Sequence, residues 1–216
     1  MRSIARVVLA RIDVRIEGLE HVPARGPALL VCRHYHHLYD GAVLTLALAR
    51  PVRILVALDW TRNAVQRRMM ETLCGVARWP TVLRPRDPAN VWGAAYDPRE
   101  RSRCARQALV RGAELLRRGE LLAIFPEGFP TVDPVARRKR EDEWLPFASG
   151  YLSIAERARR AGVPVPLVPA GFSYAGPAER PARITLRFGA PHLIGAPSER
   201  RHVASELESR VRALSA

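Results

Sequence analysis

Cysteine is scarce in this chain and lysine almost missing. The three cysteines, Cys32, Cys74 and Cys104, are odd in number, widely spaced and form no CxxC pair. A disulfide framework is therefore excluded, which fits a reducing compartment. Aromatic residues make up only 6% of the sequence and are not interleaved with the basic residues. That argues against a nucleic-acid-binding surface despite the charge discussed below. Long hydrophobic runs are also lacking. The longest, 28–32 and 41–49, are core-sized and fall well short of the ~18 apolar residues of a membrane span. The opening Met1-Arg2-Ser3-Ile4-Ala5-Arg6 leads into an apolar stretch too short and too charged for a signal peptide. Membrane contact, if made, is expected to be peripheral.

What the chain has in excess is arginine. Of 35 basic residues only Lys139 is a lysine, and 21 acidic residues leave a formal net charge of +14. A surplus of this size attracts anionic lipids, acidic carriers or nucleotides, although individual arginines usually sit on solvated faces. With 216 residues, 48% hydrophobic and 26% charged, the composition is that of one globular domain.

Apolar periodicity and turn residues predict strands at 14–22, 28–32, 53–58, 81–84, 121–125, 166–173 and 184–188. Helices are expected at 40–49, 62–77, 99–118, 149–161 and 198–214, with Gly119 and Gly162 past two helix ends and Ser198 as a cap. No internal repeat is visible. Strands alternating with helices indicate an α/β fold with a mostly parallel central sheet flanked by helices, here one domain spanning 1–216 with its core at about 14–191. In such sheets chemistry gathers at the carboxyl ends of strands.

Four clusters fall at those ends. The first is Arg33-His34-Tyr35-His36-His37-Leu38-Tyr39-Asp40-Gly41, where a buried strand runs into a helix. A histidine there, with a carboxylate one helical turn on, is a candidate general base with an orienting partner. The second is Phe125-Pro126-Glu127-Gly128, where Gly128 permits a sharp turn and Glu127 is expected to project into the strand-end mouth. The third, Thr81 to Arg86, ends a strand at Arg84, which is able to pair with a phosphate bidentately. The fourth, Val163 to Gly171, carries Pro164, Pro166 and Pro169, and so is expected at a sheet edge or irregular.

In this order the clusters resemble the glycerolipid acyltransferase family typified by 1-acylglycerol-3-phosphate acyltransferases. That family shows a His-x4-Asp motif, a Gly-containing segment ending in a phosphate-binding Arg, a Phe-Pro-Glu-Gly-Thr-Arg-Ser motif and a Val-Pro-x-x-Pro strand. Phe125 to Gly128 and Val165 to Pro169 match closely, and Gly75 to Arg84 loosely. Two departures stand out. Tyr35 occupies the place of the motif histidine relative to Asp40, so either His34, with one extra residue in the turn, or His36 serves. Phe129-Pro130-Thr131 replaces Thr-Arg-Ser after Gly128, removing an arginine implied to hold the acceptor phosphate.

The resemblance implies transfer of an acyl group from acyl-CoA or acyl-carrier protein to a hydroxyl of lysophosphatidate, glycerol-3-phosphate or a related lysolipid. His34 (or His36), oriented by Asp40, would be the base. Arg84, with Arg86 or the 137–140 loop, would hold the phosphate beside Glu127 and Gly128, with no metal and no cofactor beyond the co-substrate. The unpaired cysteines and the lack of a membrane-length run predict a cytoplasmic protein, peripheral on the inner face of an anionic membrane; the basic helix 62–77, with Arg67 and Arg68 against Met69, Met70 and Leu73, is either a candidate contact or a helix packed on the sheet with a solvated outer face. Competing readings are a metal hydrolase using His34, His36 and His37, a serine hydrolase with Ser173 in Gly171-Phe172-Ser173-Tyr174-Ala175, and a basic nucleic-acid binder. Cys32, inside an apolar strand, reads as a buried structural thiol.

Overall fold

The computed structural model describes residues 1–84, 97–133, 139–140, 143–177, 179–194 and 200–216. Arg86, Arg137, Arg138 and the proposed cap Ser198 lie outside the described residues. The helices are α1 (Arg2–Val8), α2 (Tyr39–Ala47), α3 (Ala64–Ala77), α4 (Pro98–Arg117), α5 (Gly150–Arg160) and α6 (Arg200–Leu214). The strands are β1 (Asp13–Glu17), β2 (Ala28–Cys32), β3 (Val52–Ile54), β4 (Val56–Ala57), β5 (Thr81–Val82), β6 (Leu121–Ile124), β7 (Pro166–Ala175), β8 (Arg183–Phe188) and β9 (His192–Leu193).

The main sheet runs β1-β8-β7-β2-β6-β3, with β9 alongside β7. Its β1–β8, β7–β2, β2–β6 and β6–β3 pairs are parallel, while β7 meets β8 and β9 antiparallel. The fold is thus the α/β class expected, a mostly parallel sheet flanked by helices. Alternate residues of the buried strand β2 feed two cores. Leu30 and Cys32 pack with residues of α1 and α2 on one face. Leu29 and Val31 pack with α4, α5 and α6 on the other. Such two-sided burial explains why β2 reads as an unbroken apolar run.

Three expectations are corrected. The strand expected at 53–58 breaks in two: Leu55 still bonds Ala123 of the β6 strand, but Val56 donates to Pro80 and starts a separate two-stranded sheet with β5. The proline-rich β7 is not an edge strand but is flanked on both sides. Its Pro169 carbonyl accepts the Gly189 N–H at 2.9 Å, so the proline nitrogen faces the gap between β8 and β9, where no ladder bond is lost. Finally, Arg2–Val8 is a helix although the sequence offered no signal for it beyond a charged apolar stretch; Ala5 is its buried residue.

α6 closes over β7 at Gly171. A β-carbon there would lie 2.4 Å from the Leu214 carbonyl carbon, so only glycine lets the last turn of α6 approach this closely.

Candidate active site

The strand order places three strand ends side by side. β2 lies between β7 and β6, so the residues leaving β2 meet those leaving β6, and the longer β7 runs past both. His34 follows β2, Glu127 and Gly128 follow β6, and Tyr174 lies near the end of β7.

Asp40, in the first turn of α2, is fully buried. Its Oδ2 accepts from the backbone N–H groups of Tyr35 at 2.8 Å and His36 at 3.1 Å, and lies 2.9 Å from His34 Nδ1. Its Oδ1 accepts from the Tyr174 hydroxyl. That contact and burial push the Tyr174 phenol well above its ordinary range, burial being the larger cause. The His34 ring stacks on Phe125, centroids 4.4 Å apart. With Nδ1 on Asp40, Nε2 is the nitrogen left for a ligand.

His36 is placed differently. Its Nδ1 accepts the backbone N–H groups of Leu38 at 3.1 Å and Tyr39 at 3.3 Å, so the ring closes the start of α2. Burial, reinforced by the neighbouring His37, pushes its imidazole down to about 4. His37 Nδ1 lies 3.1 Å from the Val132 carbonyl. Among the described residues no three His, Cys, Asp or Glu side chains converge as a metal site.

Glu127 does not reach into the open mouth as expected. Its carboxylate is buried and occupied: Oε1 accepts the His34 backbone N–H at 3.1 Å, and Oε2 accepts from Lys139 Nζ at 2.6 Å and the Leu145 N–H at 3.4 Å. It ties the β2 end to the following loop. Residues 131 and 132 of that loop are knitted to the histidine segment by Thr131 N–H to His34 O at 3.1 Å and Val132 N–H to Tyr35 O at 2.7 Å.

Arg84 stands two residues beyond β5, with its fork already engaged. Nε donates to Asp59 Oδ1 and Oδ2 at 3.0 and 2.9 Å, and NH1 donates to the Gly128 carbonyl at 2.6 Å. Its guanidinium carbon lies 3.8 Å from the Phe129 ring centroid. Gly128 adopts φ +77° at this turn, in the left-handed region that favours glycine. Ser173 sits mid-strand in β7 and accepts from Arg187 at 3.1 Å, so no nucleophile elbow exists there. Cys32 is fully buried, and its thiol is pushed up by desolvation.

His34, Arg84 and Gly128 are among the residues lining a cavity of about 450 Å³, within the size range of small-molecule sites. Ile4 and Val8 of α1, Ala42 of α2, Ile54, Met70 and Trp79 also line it, so its walls are mostly apolar, with His37, Thr45 and Asp133 as further polar residues.

The sequence pattern of the Acyltransferase family matches residues 13–173, the segment that contains His34, Asp40, Arg84, Glu127 and the first eight residues of β7. The chain belongs to the Acyltransferase family. No curated protein sequence matches it. Among solved structures, the fold is similar to that of the 1-acyl-sn-glycerophosphate (LPA) acyltransferase PlsC from Thermotoga maritima, at a TM-score of 0.58 and 20% identity, over 100% of this chain and 78% of that one. The signal that sequence reasoning missed is Tyr174, one residue past the matched segment, whose bond to Asp40 bridges 134 residues. Asp59 and Lys139 were missed as partners of Arg84 and Glu127 for the same reason.

Proposed function

We propose that this acyltransferase moves an acyl group from a thioester donor, acyl-CoA or acyl-carrier protein, onto a hydroxyl of lysophosphatidate, glycerol-3-phosphate or a related lysolipid. The observation carrying this reading is the His34–Asp40 pair at 2.9 Å, with His34 lining a largely apolar cavity. His34 Nε2 takes the acceptor's proton as its oxygen attacks the thioester carbonyl. Asp40 fixes the ring's tautomer and stabilises the imidazolium that forms. The proton then passes to the departing thiolate, so no metal and no covalent acyl-enzyme is needed.

The cavity takes the acyl chain, because apolar walls are matched by methylenes and not by a phosphate. Arg84 meets the acceptor's phosphate through its NH2 group, for which the described residues show no hydrogen bond, while Asp59 holds Nε and the Gly128 carbonyl holds NH1. Asp59 sets the angle of that fork and also offsets part of its charge. The reaction takes place at the cytoplasmic face of a membrane, into which a lysolipid acceptor partitions.

The test is mass spectrometry of the lipids formed when the protein is incubated with acyl-CoA and a panel of lysolipids, with His34→Ala beside it. The wild type acylates a phosphate-bearing acceptor. The folded variant loses about 10²–10⁴-fold in kcat, the usual contribution of a positioned base. Unimpaired transfer by His34→Ala would hand the role to another group, and no product from any acceptor would end the proposal.

A further inference from the structure

The chain as a whole carries a formal net charge of +14, yet among the described residues the surroundings of His34 show no surplus. Four cations border them: Arg33, beside His34 in the chain, Arg84, Arg101, whose NH1 donates to the Arg84 carbonyl, and Lys139. Four carboxylates stand against these: Asp40 on His34, Asp59 on Arg84, Glu127 on Lys139, and Asp133 in the cavity lining. The site is electrically balanced inside a strongly basic protein.

The positive charge there is also committed. Lys139 Nζ lies 2.6 Å from Glu127, with the two side chains 5% and 1% exposed. Arg33 donates to the Ser215 carbonyl at 3.4 Å, and its guanidinium carbon lies 4.3 Å from the Trp144 ring centroid. Arg84 does line the cavity, but it brings no net charge, because both oxygens of the buried Asp59 carboxylate accept from its Nε. Phe129 covers one face of the guanidinium, and the Gly128 carbonyl holds NH1. What Arg84 offers a ligand is therefore one NH2 group on a neutralised pair.

Such a site matches a single anionic charge. A phosphate monoester carries about 1.5–2 negative charges near pH 7, and the second finds no cation to meet it, which is penalised in a partly buried site. The polar groups that share the cavity act in the same direction. The Thr45 hydroxyl donates to the Gly41 carbonyl at 2.7 Å. His37 Nδ1 lies 3.1 Å from the Val132 carbonyl, an acceptor only, so in the neutral ring Nε2 is left with its lone pair. Asp133 is a carboxylate. All three line the cavity and offer lone pairs, which suit hydroxyl donors and oppose phosphate oxygens.

We infer that the acceptor is a lysolipid whose phosphate is a diester bearing a hydroxylated head group, used in preference to a phosphate monoester. This deepens the proposed function and rests on its reading that Arg84 meets the acceptor's phosphate. The transfer itself is unchanged: the free backbone hydroxyl gains the acyl carbon, the thioester C–S bond breaks, and the hydroxyl proton leaves with the thiol.

The experiment compares kcat/KM for lysophosphatidylglycerol, lysophosphatidylcholine and lysophosphatidate of one chain length, with one acyl-CoA, in micelles of a neutral detergent. At about pH 7.5 lysophosphatidylglycerol is expected to exceed lysophosphatidate about tenfold or more. At about pH 5.5 that gap narrows several-fold, because the second ionisation of a monoester lies near ~6. Taking the ratio of the two acceptors at each pH cancels the titration of His34. Asp59→Asn leaves the charge of Arg84 uncompensated and narrows the gap at about pH 7.5 as well, with a melting curve recorded beside it. If that variant does not fold, the wild-type ratios at the two pH values decide alone. Lysophosphatidate used as well as or better than lysophosphatidylglycerol at about pH 7.5 would overturn the inference, as would a gap that folded Asp59→Asn leaves unchanged. Equal use of lysophosphatidylcholine, whose head group has no donor, would overturn the hydroxylated head group. Those results leave acyl transfer standing, whereas transfer to none of the three ends the proposed activity and this inference with it.

Discussion

One carboxylate oxygen organises the surroundings of His34. Asp40 Oδ2 gathers two backbone N–H groups and a ring nitrogen, while Oδ1 holds the Tyr174 hydroxyl. Asp40→Asn replaces one acceptor by a donor in a buried site that already supplies donors. It is expected to lower kcat by about 10²–10⁴-fold through loss of His34 orientation, and stability by roughly 1–3 kcal/mol through the orphaned N–H groups. Single-turnover kinetics and urea unfolding read the two effects separately; an active, stable Asp40→Asn enzyme would contradict both. Tyr174→Phe removes only the donor to Oδ1. It is expected to cost about 1–2 kcal/mol in unfolding and several-fold in kcat, with KM for the acyl donor nearly unchanged. The His34–Asp40 pair was legible in the sequence because strand end and helix start are adjacent in the chain. Tyr174, Asp59 and Lys139 were not, because each meets its partner across a loop or the sheet, and no local periodicity encodes that contact.

At the level of elements, the start of α2 carries a titratable cap. His36 Nδ1 accepts two N–H groups there and must be unprotonated to do so. Its folded value of about 4 lies below the ordinary 6.5, so the folded state binds the proton less readily than the unfolded one. The resulting stability is complete above pH ~6.5 and is lost as pH falls through 6 and 5 toward 4, a loss of about 1–3 kcal/mol. His36→Asn keeps an acceptor for the N–H groups but cannot titrate. Its urea midpoint is therefore expected to fall less than that of the wild type between pH 7 and pH 4.5. Parallel midpoints for the two proteins across that range would dismiss the cap. Most element positions followed from apolar runs and turn residues. The exceptions have local physical causes: the chain crosses between two sheets at Leu55 without a turn residue to announce it, and Pro169 is tolerated inside β7 because its nitrogen faces the seam between two short neighbours.

At the scale of the whole molecule, charge and fold act together. The acidic residues are largely spent on local partners: Glu120 holds Arg53 and Arg78, Glu114 holds Arg117 and Arg118, and Glu156 holds Arg160 and Arg200. Such pairs add little stability when exposed, but they leave the surplus of +14 as an unbalanced field. A field of that sign raises the encounter rate with anions and leaves bound chemistry untouched, because salt screens exposed charges over about 10 Å but hardly reaches a buried pair. For a short-chain, water-soluble acceptor bearing a phosphate, kcat/KM is therefore expected to fall several-fold between about 50 and 500 mM salt, with kcat nearly constant. The same titration with an acceptor lacking the phosphate should be nearly flat, since only Arg84 and the wider field distinguish the two. If kcat itself fell with salt for both acceptors, the charge would be supporting the folded site and not the approach of substrate, and Arg84 would lose its assigned role at the phosphate.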